Sequence, residues 1–436
     1  MLPLYSVLDP RIEQLPRKKI VQLQEERLKA QLHHIYDNSP FYHERFRKAG
    51  VTPDSIRSLE DLRKLPFTTR RELEESQKRY PPLGNYTCTP QSHWHKFMAT
   101  TGTTGRPLRR VFSKRDWDYV LDKFCRWPTV RPGEVAIALR PVDALMGSLA
   151  GSEAWARQGA LVVCAGLYDT KSKIRLMQEL RPAAVSGTAS LLLYIGEVAE
   201  GMGVTLADIG SIRVLTSAGE PGAAILATRR RIERMWGAFL IDGYGLTEIF
   251  PLARNCRKSL SLHLPDDFVI TEVVDLKTGE VLPPGERGEL VYTNIIGDTQ
   301  PLLRYRSGDI GAITYEPCAC GYTHTRIING IEGRVDDLIW YKGVNIFPTA
   351  IEGVVRGFEE LTGEFRIVLW KQGPSQFLTV KAEVKRGVAA RSKRRLQELL
   401  AQELKGAISV NAEVVLIPEG SLPRGEDKAR RVIDKR

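Results

Sequence analysis

Two hydrophobic periods divide this chain. Near the start, Ile20, Leu23, Leu28, Leu32 and Ile35 recur at roughly helical spacing, so the first hundred residues read as helical. Asn38-Ser39-Pro40 then opens a second helix that Gly50 closes. From about Val111 the pattern changes to short apolar runs separated by amphipathic segments. Residues 135–139, 161–164, 183–186, 212–217 and 239–241 read as buried strands, with helices over 171–180 and 224–236 between them. Such alternation predicts a parallel sheet covered on both faces by helices. After residues 272–274 the chain becomes richer in hairpins, with Thr278-Gly279 and Pro283-Pro284-Gly285 as turns.

A break falls near residues 330–337. Beyond it the pattern predicts a helix over 348–358, strands over 365–371 and 377–384, a helix over 390–404 and a strand over 412–417. The expected fold is therefore α/β. A large N-terminal domain over 1–333 has a helix-covered parallel sheet plus a β-rich subdomain, and a small α+β domain occupies 334–436. A length of 436 residues, beyond what one core usually spans, agrees with that division.

Composition changes the picture little: 42% apolar and 26% charged residues are the balance of a soluble globular protein. The net charge of +11 is partly local, with 14 basic against 8 acidic residues from Lys381 to Arg436. A positive face invites a polyanion. Nucleic acid is excluded as a partner, because basic and aromatic residues do not interleave and no nucleic-acid motif is present. No run approaches the ~20 apolar residues of a membrane span. The N-terminus lacks the charged and apolar regions of a secretory signal. Six scattered cysteines point to a reducing cytoplasm, the expected location.

Candidate chemistry begins at Thr100-Thr101-Gly102-Thr103-Thr104-Gly105-Arg106, where hydroxyls and close-approaching backbone could solvate a polyphosphate. The glycines are too close for a Walker A loop and no lysine follows. Asp242-Gly243-Tyr244-Gly245-Leu246-Thr247-Glu248 places an aromatic, a hydroxyl and a carboxylate just past an apolar strand, where open α/β sheets bind ligands. Arg304-Tyr305-Arg306-Ser307-Gly308-Asp309, Gly333-Arg334-Val335-Asp336-Asp337 and the basic run around Lys428 follow. Taken singly, each reads as a turn, an exposed ion pair, a hinge-like loop or a charged tail.

In this order the set resembles the adenylate-forming superfamily of acyl-CoA ligases, firefly luciferase and peptide-synthetase adenylation domains, and within it the phenylacetate-CoA ligase branch. Tyr36-Asp37-Asn38-Ser39-Pro40-Phe41-Tyr42, Ser58-Leu59-Glu60-Asp61-Leu62, Leu65-Pro66-Phe67-Thr68 and the stretch 334–348 carry that likeness. The resemblance implies ATP-dependent activation of an aryl-type carboxylic acid to acyl-AMP, then transfer to coenzyme A, with Mg2+ as cofactor. It implies that Thr100 to Arg106 hold the β- and γ-phosphates. Ala218, Gly219, Glu220, Asp242 and Gly245 join the nucleotide site, and Tyr244 stacks on adenine. Thr247 contacts phosphate and Glu248 holds Mg2+. Asp309 takes the ribose hydroxyls, and Arg334 pairs with the ribose or a phosphate. Lys428 bridges the carboxylate and phosphate. After rotation about Asp336, the loop Lys342-Gly343-Val344 takes its place and admits the pantetheine arm. A homodimer would be unsurprising by base rate.

Cys256, His263, Cys318 and Cys320 form a further set, with His324 nearby. Soft sulfur plus one imidazole suits structural zinc. Spacing alone favours incidental buried cysteines, whereas the pattern of related sequences favours zinc, with His263 the better fourth ligand. The chain departs from the branch at Arg140 and Asp143, where small and aromatic residues would line the acyl pocket, and at Phe250, where Gly-rich sequence would follow Glu248. Those substitutions leave the acid undefined beyond its class. Other acceptors (a carrier protein, an amine, a deazaflavin-type cofactor) and a non-catalytic nucleotide-binding module are the competing readings.

Overall fold

The computed structural model describes residues 9–100, 107–143, 146–250, 252–373, 375–423 and 431–436. Helix Arg17–Asn38 buries the predicted stripe of Ile20, Leu28, Leu32 and Ile35. The stripe also contains Gln24 and Gln31, whose amides donate to Val269 O and Gly297 O at 3.3 and 2.9 Å. Those bonds satisfy the two amide nitrogens, whereas Gln24 Oε1 is buried without a hydrogen-bond partner. The next helix, Pro40–Ala49, starts where Ser39 Oγ accepts from the Tyr42 N–H and stops at Gly50, whose φ of 67° suits glycine.

The parallel strands are Val135–Ala138, Leu161–Cys164, Ala184–Ser186, Val214–Ala218 and Phe239–Tyr244. Alternate side chains leave for opposite faces. Ile137, Val185, Leu215 and Leu240 join a core with Ile174, Leu192, Ile232 and Trp236 from the helices Thr170–Leu180, Ala189–Gly201 and Leu226–Trp236. Ala136, Ala184, Val214 and Ile241 join a second core with Trp155, from helix Met146–Arg157. Both faces are thus covered, as the continuous apolar runs required.

The β-rich part is not a separate sheet. Strand Phe239–Tyr244 pairs antiparallel with Ala253–Cys256, and pairing continues through Ser259–His263, Arg326–Ile327, Tyr305–Thr314, Arg287–Asn294 and Val269–Val274 into one 12-stranded sheet. Within it Arg304, one residue of a run whose plain reading was an exposed ion pair, is 4% exposed. Its guanidinium takes both oxygens of Glu272 at 3.0 Å, because a buried charge needs a bidentate partner.

From residue 339 onward the chain builds its own core. Strands Leu361–Gln372 and Ser375–Val384 pair antiparallel and are flanked in parallel by Val432–Asp434 and Glu413–Pro418. Helices Pro348–Gly357 and Ala390–Ile408 cover this sheet through Ile351, Val355, Leu396, Leu400 and Leu404. Arg356 donates to Thr228 Oγ1 at 3.1 Å and Arg231 donates to Thr362 O, which ties this unit to the large sheet's helices.

Candidate active site

The C-terminal end of strand Phe239–Tyr244 gathers much of the predicted machinery. Asp242 is buried, with its N–H donating to Asn255 Oδ1 at 2.7 Å. Burial pushes its carboxyl up to about 7, against the opposing pull of Arg229. Tyr244 follows, and its hydroxyl donates to Asp309 Oδ2 at 2.7 Å. The other oxygen of Asp309 accepts from Arg334 at 2.9 Å. That meeting follows from register, since Asp309 and Arg334 are Cα partners across an antiparallel pair. Gly308 has φ 74°, which favours glycine, and a Cβ there would stand 3.0 Å from Arg334 Nη2. Although burial works against it, the carboxylates of Asp309 and Asp336 raise Arg334 above the ordinary arginine value. A carboxylate has lone pairs enough to accept from paired hydroxyls as well as from a phenol and a guanidinium.

Past Tyr244 the chain turns. Gly245 is exposed, Thr247 half-buried, and Glu248 buried. Glu248 Oε1 accepts from Arg70 Nη1 at 2.7 Å, and Arg70 Nη2 reaches Thr100 Oγ1 at 3.1 Å. Thr100 closes the base of the phosphate loop: its N–H donates to Leu108 O at 3.0 Å and its hydroxyl accepts from Leu108 N at 2.9 Å. Thr101, Gly102, Thr103, Thr104, Gly105 and Arg106 lie outside the described residues, as does Lys428. Arg70 was not among the expected site residues; the signal for it is its place two residues after Thr68 in a run already singled out.

Ala218 and Gly219 are exposed at the end of the neighbouring strand. Glu220, expected at the nucleotide, has its carboxylate engaged by Ser190 N–H and Ser190 Oγ at 2.5 and 3.1 Å, at the start of helix Ala189–Gly201. Asp336 is exposed in a short turn after Arg334, 3.5 Å from its guanidinium. Lys342 and Gly343 form the exposed tip of a hairpin, both at positive φ (48° and 81°), and Val344 begins its second strand. This is the two-residue turn such a hairpin demands.

Phe250, 4% exposed, sits in an apolar cluster with Met98, Phe112, Trp117, Leu121 and Met146, and its ring lies 6.0 Å from Phe124. Arg140 is half-buried and Asp143 exposed, on the loop after strand Val135–Ala138. Neither belongs to that cluster.

The four expected soft ligands converge. Ligand atoms of Cys256, His263, Cys318 and Cys320 all lie within 4.8 Å of one another. Cys256 Sγ and Cys318 Sγ are 3.8 Å apart, and Cys320 Sγ is 3.5 Å from His263 Nε2. Ligands on a zinc tetrahedron with bonds of ~2.0–2.3 Å stand about 3.5–3.8 Å apart. His263 Nδ1 bonds Arg254 O at 3.0 Å, which aims Nε2 at the sulfurs. His324 stands apart, its two ring nitrogens taken by Ile12 O and the Asp266 N–H at 2.8 and 3.1 Å.

Comparison with known proteins follows the same division. A family model described as AMP-binding enzyme matches residues 20–295, and one described as AMP-binding enzyme C-terminal domain matches residues 343–436. The phenylacetate-coenzyme A ligase of Thermus thermophilus is 32% identical, with 98% of this chain and 99% of that protein aligned. The Escherichia coli K12 protein of the same name is 30% identical over 98% of each. Among solved structures, a 2-hydroxyisobutyryl-CoA ligase in the postadenylation state, in complex with an AMP adduct, superposes with TM-score 0.92 at 28% identity, covering 98% of this chain and 92% of that one. The same ligase in its thioesterification state, with coenzyme A, scores 0.72 at 29% identity, covering 98% and 91%. Those are two states of one protein, so the gap in score is conformational, and the present structure stands nearer the postadenylation state.

Proposed function

The chain belongs to the AMP-binding enzyme family, and from that premise we propose which residues carry its reaction and which acids it takes. It is an AMP-forming acid–coenzyme A ligase: ATP and a carboxylic acid give acyl-AMP and pyrophosphate, and coenzyme A then receives the acyl group with release of AMP. The single observation that carries the residue assignment is the convergence of Tyr244 and Arg334 on the two oxygens of Asp309, with Tyr244 a turn away from Glu248. Asp309 takes the two ribose hydroxyls, displacing the Tyr244 hydroxyl, whose ring then lies against adenine. Thr247 and the loop from Thr100 hold the phosphates. Glu248 would hold Mg2+, which would neutralise charge on the transferring phosphoryl group. Lys428 bridges the attacking carboxylate and the α-phosphate.

In the second half-reaction the small domain, 334–436, turns about Asp336 and presents Lys342, Gly343 and Val344 to the pantetheine arm. The acid is of aryl type, in keeping with the phenylacetate-coenzyme A ligases that the chain resembles, and Phe250 after the Glu248 turn packs in an apolar cluster with Phe124, Trp117 and Met146. Arg140 and Asp143, on the loop after strand Val135–Ala138, are the charged residues proposed to meet a polar substituent on the acid. The Cys256, His263, Cys318, Cys320 set fits structural zinc: four soft donors at tetrahedral spacing leave no open position for catalysis. Arg254, whose carbonyl orients His263, also donates to Lys123 O and Phe124 O at 3.0 and 3.2 Å. The metal would thereby steady the end of helix Lys114–Cys125, which carries Trp117 and Phe124.

A pyrophosphate-release screen of aryl, heteroaryl and aliphatic acids, with and without coenzyme A, tests the proposal. The expected result is release that is strongest with an aryl acid, accompanied by a thioester seen by mass spectrometry. Turnover confined to aliphatic acids would sink the assignment of the pocket.

A further inference from the structure

No motif places a cation where the guanidinium of Arg70 stands. It donates to Glu248 Oε1 at 2.7 Å and to Thr100 Oγ1 at 3.1 Å, while its Nε rests on Glu74 Oε1 at 2.8 Å. One side chain therefore joins the carboxylate assigned to the metal with the first residue of the phosphate loop. Thr100 Oγ1 accepts from both Arg70 and Leu108 N–H, which commits its two lone pairs. Its own proton must be donated elsewhere, and a phosphate oxygen in the loop is the natural acceptor.

The backbone beneath Arg70 is held firmly. Thr68 N–H donates to Arg304 O and Arg306 N–H donates to Thr68 O, both at 2.9 Å, so the segment is stitched to the strand that carries Asp309. Thr69 and Glu72 form a reciprocal capping box at the start of helix Arg70–Arg79, and Arg45 grips Glu72 at 2.6 Å. The side chain reaches from this fixed base past Glu74 to Glu248 and Thr100. Such an arrangement is more than a surface ion pair: the carboxylate it holds is buried, and both partners belong to the nucleotide site.

We propose that Arg70 is a catalytic residue of the adenylation step, pairing with Glu248 until nucleotide arrives and then giving its guanidinium to the terminal phosphates of ATP. The assignment rests on the adenylation reading above. As the acid's oxygen bonds to the α-phosphorus, the bond from that phosphorus to the bridging oxygen breaks, and the electron pair leaves with pyrophosphate. A planar fork that never loses its proton suits two adjacent phosphate oxygens. Release of Glu248 at the same moment leaves that carboxylate to the divalent cation. One exchange thus prepares both the metal site and the leaving group.

The test separates the two half-reactions in the full chain. ATP–pyrophosphate exchange with an accepted acid reads the first, and conversion of synthetic acyl-adenylate with coenzyme A reads the second. Arg70→Ala should lower exchange by about 10²–10³-fold, the cost of removing one preorganised charge-stabilising donor, and Arg70→Lys should restore part of it. Thioester formation from acyl-adenylate should stay near the parent rate, because pyrophosphate takes no part in it. Exchange unchanged in Arg70→Ala, or both half-reactions falling together in both variants, would overturn the assignment and make Arg70 a scaffold residue. A parent protein that exchanges pyrophosphate with no acid sinks the adenylation reading itself, whereas an active parent with an equally active Arg70→Ala sinks the Arg70 assignment alone.

Discussion

Asp242 offers a sharp test of the electrostatics around the nucleotide site. Its side chain lies in the sheet's interior, with Oδ2 3.6 Å from where a Cβ at Gly330 would stand, and the residue is 6% exposed. Burial penalises its charged form and lifts the carboxyl from 3.8 to about 7, with Arg229 opposing. Between those two values the folded protein keeps a proton that the unfolded chain has lost. Stability then falls as pH rises, because the native state binds more protons than the unfolded one. The contribution is fully present below pH 3.8, declines by up to ~1.4 kcal/mol per pH unit, and is gone once pH passes about 7, a total of ~4 kcal/mol.

Asp242→Asn supplies a neutral group of the same shape with no proton to lose. Relative to the parent, the variant should gain stability steadily from pH 5 to pH 7 and show a constant advantage above that. Urea denaturation of both proteins at half-unit pH steps measures the difference, and unrelated titrations cancel in the subtraction. A difference that does not change across this window would refute a buried neutral carboxyl at residue 242. A parent that gains on the variant as pH rises would mean that Asp242 is stabilised as an anion, reversing the sign of the burial term.

Two further outcomes follow from buried charge and from sulfur. Arg304→Ala leaves Glu272 buried without its bidentate partner and removes the bond to Leu65 O at 2.9 Å; thermal unfolding should register a loss of about 3–5 kcal/mol, and a loss below ~1 kcal/mol would show the pair to be solvated after all. Cys318→Ser should reduce bound zinc from about one ion per chain to near none, read by elemental analysis of protein expressed with zinc. A parent that retains no zinc through chelator-free purification would dismiss the metal and leave three packed thiols.

The fold was legible wherever one period dominated. Strand Leu161–Cys164 begins and ends where its apolar run does, and helix Pro40–Ala49 is bracketed by Ser39 and Gly50 as capping chemistry requires. Long amphipathic segments were also well bounded, with helix Thr170–Leu180 one residue longer than the pattern at its start. Strand Val432–Asp434 was not legible, because three residues set beside a long partner derive their identity from the pairing rather than from their own pattern. The continuity of the large sheet was hidden for the same reason: it runs through Arg326–Ile327, two residues long, whose only strand signal is their register against Ser259–His263 and Tyr305–Thr314. Gln24 and Gln31 break the apolar stripe of their helix in sequence yet lie inside it, where distant carbonyls accept from their amide nitrogens.

The site divides along the same line. Tyr244, Glu248, Asp309 and Arg334 could be nominated in advance as candidates because each belongs to a run whose order along the chain is distinctive. Arg70 could not, because an arginine at the start of a charged helix has the same sequence appearance whether it faces water or a buried carboxylate. What separates those cases is the stitching of Thr68 to Tyr305, which turns the first helical residue inward toward Glu248. Glu220 also belongs to a distinctive run, yet nothing in that run reveals that its carboxylate meets Ser190 near the start of helix Ala189–Gly201. Local motifs therefore report which residues can do chemistry, and long-range pairing decides which of them are left to do it. By that criterion Arg70 and Glu248 form the most informative pair in the molecule: each carries a charge that the other holds in waiting, and one nucleotide can relieve both.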